Sequence, residues 1–134
     1  MIRGSCLCQS VAFELLVTPS RATHCHCSRC RKARGTANAT NMIVPLDGFR
    51  FTRGSEELRV FKVPEAKHFA HAFCSICGSS MPRVDEPRGF VIIPMGSLDE
   101  DPGVRPERHI FVGSKAPWDQ ITDDLPQYEG APPA

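Results

Sequence analysis

The sequence predicts a mainly β fold of packed antiparallel sheets, with few or no long helices. Twelve prolines and ten glycines are scattered through the 134 residues and divide the chain into segments of the length that strands use. Near the N-terminus, hydrophobic residues alternate at period two, which predicts a strand with one apolar face. The residues on that face are Val11, Phe13, Leu15 and Val17.

Further short segments between turn residues are also predicted to be strands. They cover residues 39–44, 48–52, 58–62, 68–73, 81–84, 90–94 and 109–112. Single helical turns are expected after Cys27 and near residues 98–101. With 41% hydrophobic residues the chain can bury a core, so one domain is expected over residues 1–134. Its last residues, near 129–134, are expected to be a loose tail.

Charge and hydropathy argue against two classes of partner. Sixteen Lys and Arg balance fifteen Asp and Glu, which leaves a net charge of +1, so nucleic acid is not an expected partner. No apolar run is long enough to span a bilayer, so no membrane association is expected.

Seven cysteines fall in three tight groups, and they are the strongest indication of function. The groups are Cys6-x-Cys8, Cys25-x-Cys27-x-x-Cys30 and Cys74-x-x-Cys77. A disulfide framework is disfavoured because the count is odd, no secretory signal precedes the first group, and cysteines so close in sequence are poorly placed to bridge each other. A zinc ion can gather such thiolates onto one tetrahedron. Since the thiolates must stay reduced, a cytoplasmic location is expected.

Seven thiolates divide into a closed site with four cysteines and a site with three, whose fourth position is open to water or substrate. Spacing alone leaves two partitions. In the first, the pairs Cys27/Cys30 and Cys74/Cys77 form one ribbon-like site. In the second, Cys6/Cys8 joins Cys74/Cys77, and Cys25, Cys27 and Cys30 remain as a contiguous triad, which is more economical.

Local geometry bears on which side chains reach a metal. In an extended segment Cys25 and Cys27 point to one face, while His24 and His26 point to the other, so His26 is not expected to be a ligand. The Cys74-x-x-Cys77 pair precedes Gly78, a spacing typical of a tight metal-binding turn that needs a positive φ at the glycine.

Two other features have both a functional and a structural interpretation. Basic residues surround Cys30 at Arg29, Arg31, Lys32 and Arg34, and they are either substrate contacts or an ordinary solvated turn. The single tryptophan, Trp118, is expected to pack in the core.

The cysteine motifs resemble those of a known family. They are Gly4-Ser-Cys6-Leu-Cys8-Gln-Ser-Val11-Ala-Phe13, His24-Cys25-His-Cys27-Ser-Arg-Cys30-Arg31-Lys32 and Phe73-Cys74-Ser-Ile-Cys77-Gly78-Ser79, and similarity continues at Gly96-Ser97-Leu98-Asp99 and from His109 to Trp118. On these residues the sequence resembles the glutathione-dependent formaldehyde-activating enzyme family, also called the centromere protein V-like family, from Gly4 to Tyr128.

The resemblance implies a small zinc-binding β fold with two metal positions. By motif, Cys6, Cys8, Cys74 and Cys77 match the ligands of a structural zinc. Cys25, Cys27 and Cys30 match the ligands of a catalytic zinc, a site that is expected to be empty or partly occupied in some preparations because three ligands hold zinc less firmly than four. The implied activity is that of a carbon–sulfur lyase, S-(hydroxymethyl)glutathione synthase-like, with glutathione and formaldehyde as substrates.

The ligand set suggests a chemistry for the three-cysteine site. Three thiolates make zinc a weak Lewis acid, but the ion can still accept an incoming thiol and lower its pKa, so that the thiolate attacks an aldehyde. Arg31, Lys32 and Arg34 are expected to bind the carboxylates of a glutathione-like thiol. The alternative function is a non-catalytic, zinc-stabilised module that binds protein or chromatin. A homodimer formed through an edge strand is a further expectation.

Overall fold

Residues 1–133 are described by a computed structural model, and they form ten β-strands and one α-helix. The strands are β1 (Ile2–Ser5), β2 (Ala12–Leu15), β3 (Ala22–Cys25), β4 (Ala39–Pro45), β5 (Phe49–Arg53), β6 (Leu58–Lys62), β7 (Ala70–Cys74), β8 (Arg83–Asp85), β9 (Phe90–Pro94) and β10 (Pro106–Ile110). The helix, α1, spans Ser28–Arg34. The prediction of a mainly β fold is confirmed.

The strands form three sheets. Their orders are β1-β2-β5, β10-β3-β4-β9-β8 and β6-β7. The paired strands run antiparallel, with one exception in the described part of the chain, where β10 runs parallel to β3 and pairs Ile110 with Cys25. This parallel pair places the last strand of the chain beside the strand that ends at a cysteine.

The main core lies where the three-stranded and five-stranded sheets meet. It contains Phe13 and Leu15 from β2 and Met42 and Ile93 from β4 and β9, all of them at most 1% exposed. Burying each such side chain contributes about 1.5–3 kcal/mol. The predicted apolar face of β2 is therefore observed, except that Val17 is exposed, because the strand ends at Leu15 and the chain turns away.

Most predicted strands are present with small shifts at their ends. The segments 58–62 and 90–94 agree residue for residue with β6 and β9. The segment predicted at 109–112 is displaced, because Phe111 adopts a left-handed φ of 55° and an extended strand must end before it. The strands β1 and β3 were not among the predicted strand segments, although the chain around Cys25 was expected to be extended.

The helical turn expected after Cys27 is present and continues as α1. The Sγ of Cys27 accepts a hydrogen bond from the backbone N–H of Cys30 at 3.2 Å, which caps the helix. Gly35 ends it with a φ of 63°, and its N–H donates to the carbonyl of Arg31, a common way for helices to stop. The turn expected at 98–101 lies slightly earlier, as a 3-10 turn at Met95–Ser97.

Two expectations for the C-terminal region need comment. The prediction that Trp118 packs in the core is wrong, because its side chain is 72% exposed and the neighbouring Ala116 is buried instead. In the expected tail, the carbonyl of Gly130 accepts a hydrogen bond from the N–H of Phe111 at 2.9 Å, and Ala134 lies outside the described residues. No helix within residues 1–133 has the length and apolar character needed to cross a membrane.

Candidate metal centres and their cavity

The four-cysteine cluster joins two segments that are far apart in the chain. Cys6 and Cys8 follow β1, whereas Cys74 and Cys77 lie at the end of β7 and in the turn after it. The four sulfur atoms lie within 4.8 Å of one another, and the Cys6–Cys8 and Cys8–Cys74 sulfur pairs are 3.6 and 3.9 Å apart. A tetrahedral zinc thiolate, with bonds of about 2.3 Å, separates its sulfurs by ~3.8 Å. The cluster could therefore hold a zinc ion.

The turn between Cys74 and Cys77 is closed by backbone hydrogen bonds. The N–H of Gly78 donates to the carbonyl of Cys74 at 2.8 Å, and the N–H of Cys74 donates to the carbonyl of Ser79 at 3.0 Å. Gly78 has a φ of 77°, so the positive φ expected from the sequence is observed. The Ser79 hydroxyl accepts from the N–H of Leu7 at 2.9 Å, which ties the two segments together.

Hydrogen bonds to sulfur separate the acidities of these thiols. The Cys77 sulfur lies 3.2 Å from the Ser79 hydroxyl, and this bond lowers the pKa of Cys77 to about 5. Burial raises the pKa of Cys6 to about 11, although the N–H of Val11 donates to its sulfur at 3.3 Å. A bound cation would favour the thiolate form of every member.

The three-cysteine cluster comes from one short segment. Cys25 ends β3, Cys27 caps α1 and Cys30 lies in the first turn of the helix. Their sulfur atoms also lie within 4.8 Å of one another, and no fourth histidine, cysteine or carboxylate of residues 1–133 completes the group. Three protein ligands and one open position is the arrangement of catalytic rather than structural zinc.

Hydrogen bonding within this cluster concentrates negative charge on one sulfur. The side chains of Cys25 and Cys30 lower the pKa of Cys27 to about 2, whereas the bond to Cys27 raises the pKa of Cys25 to about 11. The pKa of Cys30 is raised by its bonds to both. The thiolate on Cys27 is therefore the favoured one, next to the N–H groups that begin α1.

Three histidines pack together on the other side of this segment. His26 Nε2 and His109 Nδ1 are 2.8 Å apart, and the ring of His24 stacks on that of His109 at 4.8 Å. His109 Nε2 in turn lies 3.0 Å from the carboxylate of Asp123. His24 and His26 thus face away from Cys25 and Cys27, as the alternation predicts, and His26, only 1% exposed, does not line the cavity described next.

The three-cysteine cluster opens onto a cavity of about 630 Å³. This volume is typical of sites for small organic ligands. Cys25, Cys27 and Cys30 line it, and the aromatic and aliphatic part of the wall includes Phe69, Phe90, Ile92, Ile110 and Phe111. A ligand in the cavity would contact the sulfurs and an apolar surface together.

The charged part of the cavity wall is entirely positive. It comprises Arg21, Arg29, Arg34, Lys67, Arg83, Arg88 and Arg108, and none of the described aspartates or glutamates lines the cavity. The whole chain carries a net charge of only +1, so its composition does not reveal this concentration of positive charge in the cavity. A cleft with one sign of charge attracts ligands of the opposite sign.

The basic residues around Cys30 are divided by the geometry of the helix. Arg34 lies one turn after Cys30 and lines the cavity with Arg29, whereas Arg31 and Lys32 do not line it. Arg34 shares a helix face with Cys30, four residues before it, whereas Arg31 and Lys32 do not. Arg29 lines the cavity from the first turn of the helix, which this rule does not explain. The remaining cations of the wall are spread from Arg21 to Arg108, so no local pattern in the sequence identifies them.

Comparison with known proteins identifies a family and similar solved structures. Residues 1–114 match the family described as glutathione-dependent formaldehyde-activating enzyme. A crystal structure of a Rhodobacter sphaeroides protein is similar, with 29% sequence identity, a TM-score of 0.58, and coverage of 78% of this chain and 91% of that chain. No curated protein gives a significant match.

Proposed function

Because the chain belongs to the glutathione-dependent formaldehyde-activating enzyme family, we propose that it is a zinc-dependent enzyme of the carbon–sulfur lyase type. Its substrates are a glutathione-like thiol and an aldehyde such as formaldehyde, which it joins or releases. The observation that carries the proposal is the opening of three clustered thiols onto a positively charged cavity.

Each cysteine cluster has its own role in this proposal. Cys6, Cys8, Cys74 and Cys77 hold a structural zinc, since four thiolates close its coordination sphere. Cys25, Cys27 and Cys30 hold the catalytic zinc. When bound there, zinc supplies the positive charge that lowers the pKa of a thiol in its fourth position.

The chain itself binds and orients the two substrates. Cations of the cavity hold the carboxylates of the thiol, while Phe69 and Phe111 pack against its backbone and exclude water. The thiolate sulfur then attacks the aldehyde carbon: a carbon–sulfur bond forms, the carbonyl π bond breaks, and the oxygen takes up the proton that the thiol lost. The reverse sequence releases the aldehyde. Binding both partners in one cavity contributes through orientation and effective concentration.

The expected substrate contacts differ in support. Arg34 lines the cavity, and we retain it as a carboxylate contact. The role of Arg31 and Lys32 in substrate binding stays a prediction, because their helix positions turn them away from the cavity wall. We further propose one domain over residues 1–134 and a reducing compartment such as the cytoplasm, where thiolates persist. Homodimer formation stays a prediction.

Cobalt substitution tests the proposal directly, because tetrahedral cobalt reports on its thiolate ligands. We expect glutathione to change the visible spectrum saturably, and S-methylglutathione, which has no thiol, to leave it unchanged. Cys27→Ser should abolish the response. A protein with two bound cobalt ions that ignores glutathione would contradict the proposal and favour the non-catalytic binding module.

A second measurement tests the reaction. Isotope-labelled formaldehyde and glutathione exchange with their adduct, and the exchange rate can be followed by NMR. We expect the zinc-loaded protein to accelerate this exchange and Cys27→Ser to remove the acceleration. An unchanged exchange rate with a responsive cobalt spectrum would restrict the function to thiol binding.

A further inference from the structure

Two arginines line the same cavity as the three-cysteine cluster. Arg34 extends from α1 and Arg83 from β8, and both line the cavity with Cys30. The side chain of Arg83 is only 14% exposed. The two guanidinium groups and the Cys30 sulfur therefore face the same cavity.

The partners of these arginines leave positive charge uncompensated. Arg34 donates to the neutral Asn41 Oδ1 at 2.8 Å and has no carboxylate partner among residues 1–133. Arg83 donates to the carbonyl of His68 at 3.2 Å and lies 3.5 Å from Asp85. That carboxylate is already bound by Arg88 at 2.7 Å, so a single acid serves two arginines.

The charges around Arg34 and Arg83 do not balance. Arg34, Arg83 and Arg88 contribute three positive charges and Asp85 one negative charge. A zinc ion with three thiolates adds a net charge of about −1. One positive charge remains, and for a side chain as little exposed as Arg83 an uncompensated charge is unfavourable. A single anionic group of a ligand would complete the site.

We propose that Arg34 and Arg83 form a carboxylate-binding subsite that favours thiols carrying a carboxylate over neutral thiols. This inference rests on the proposed function, because the thiol reaches the subsite when its sulfur occupies the open metal position. A carboxylate matches the planar fork of a guanidinium. Asn41 holds the Arg34 fork in place, and Phe69, 5.9 Å from the Arg83 guanidinium, supports the other.

The test compares two thiols that differ in one charge. Dissociation constants of 3-mercaptopropionate and its neutral amide, 3-mercaptopropionamide, are measured from the spectrum of the cobalt-substituted protein. We expect Arg34→Gln to weaken the carboxylate about 10- to 100-fold, the usual worth of a charged hydrogen bond, and the amide less than about twofold. Arg34→Lys, which keeps the charge but loses the fork, should fall between and covers the case in which Arg34→Gln folds poorly.

Arg21→Gln is the matched control. It removes the same charge from the same cavity, but Arg21 is 55% exposed and already paired with Glu107 at 2.5 Å. Exposed pairs contribute little, so the affinity for 3-mercaptopropionate should change by less than about twofold. Equal losses for both thiols in Arg34→Gln, or equal effects of Arg21→Gln and Arg34→Gln, would overturn the subsite.

A second readout separates the subsite from the proposed function. If neither thiol changes the wild-type spectrum, the proposed function fails, and the subsite is then judged by NMR of the arginine side-chain N–H signals. Propionate should shift the signals of Arg34 and Arg83, and propionamide should not. The absence of a shift with propionate would overturn the subsite on its own.

Discussion

The two cysteine clusters both offer thiol sulfur atoms, but they differ in the segments that supply the cysteines and in what surrounds the sulfurs. The four-cysteine cluster takes its members from two segments separated by 66 residues at its Cys8–Cys74 contact, and serine hydroxyls and backbone N–H groups surround its sulfurs. The three-cysteine cluster comes from six consecutive residues and faces a cavity of about 630 Å³. One arrangement closes the chain on itself, and the other leaves room for a ligand.

The comparison teaches that the source of the ligands matters as much as their number. A metal held by distant segments adds to stability, because the folded state alone brings those segments together. A metal held by one local segment adds little to the global fold, since its ligands stay close in the unfolded chain. We therefore expect the clusters to separate stability from ligand binding.

The largest effect is expected from Cys74→Ser. The substitution changes the four-cysteine cluster at a residue with 0% exposure, so it removes a proposed zinc ligand and leaves a hydroxyl in the core. We expect a loss of several kcal/mol in the free energy of unfolding, within the range for lost structural zinc. Urea unfolding together with zinc analysis measures this loss. Unchanged stability after the loss of one metal would contradict a stabilising role for the four-cysteine cluster.

Cys27→Ser should have the opposite profile. The helix cap survives in part because serine also accepts a hydrogen bond at this position, so we expect a change in the free energy of unfolding within about 1 kcal/mol. Thiol binding should fall more than about 100-fold, because the open position requires the ion. Calorimetry measures the stability of the variant, and thiol titration of the same sample measures its affinity. Loss of the fold would show that both clusters are needed for stability.

The histidines behind the three-cysteine cluster give a smaller effect. His109→Asn removes contacts to His26 and Asp123 and loosens the segment that carries Cys25 and Cys27. We expect the metal affinity of the three-cysteine cluster to fall about 10-fold, the lower end of the effect of residues that help to orient metal ligands. The metal affinity of the four-cysteine cluster should not change. Chelator competition measures both, and exposed His68→Asn serves as the control. Equal weakening of both metals would show that the clusters are coupled.

The smallest effects come from a pair of glycines with similar backbones. Gly78 and Gly35 have φ values of 77° and 63°, and an added Cβ meets nothing within 4 Å at either position. Replacement by alanine should cost about 1 kcal/mol in each case through strain alone. We expect Gly78→Ala to weaken the four-cysteine metal and Gly35→Ala the three-cysteine metal, as metal titrations of both variants would show. A reversed assignment would contradict the division.

Local sequence patterns predicted the features of this structure that depend on residues close together in the sequence. Strand alternation located β2, the tight spacing before Gly78 indicated its positive φ, and the face argument placed His24 and His26 correctly. Pairing between distant segments has no such pattern. The parallel contact of β10 with β3 and the position of Arg83 beside Arg34 depend on the whole topology, so neither could be predicted.

Two features that were wrongly or incompletely predicted could have been inferred from the sequence. A helix that starts after Cys27 places Arg34 above Cys30 and turns Arg31 and Lys32 to other faces, which would have separated the basic residues in advance. Trp118 follows Ala116-Pro117, where a turn rather than a strand is typical, and a turn offers a large ring little to pack against.

The parallel pairing of β10 with β3 also sets an order of assembly on the ribosome. The members of the four-cysteine cluster have all been synthesised at Cys77, and they can meet once that residue has left the ribosome. The three-cysteine segment is synthesised earlier, but its neighbour strand β10, with His109, follows only after Cys77. Since domains fold as contacts become available, we expect the four-cysteine cluster to form first and the surroundings of the three-cysteine cluster to be completed later, when β10 is added to the sheet.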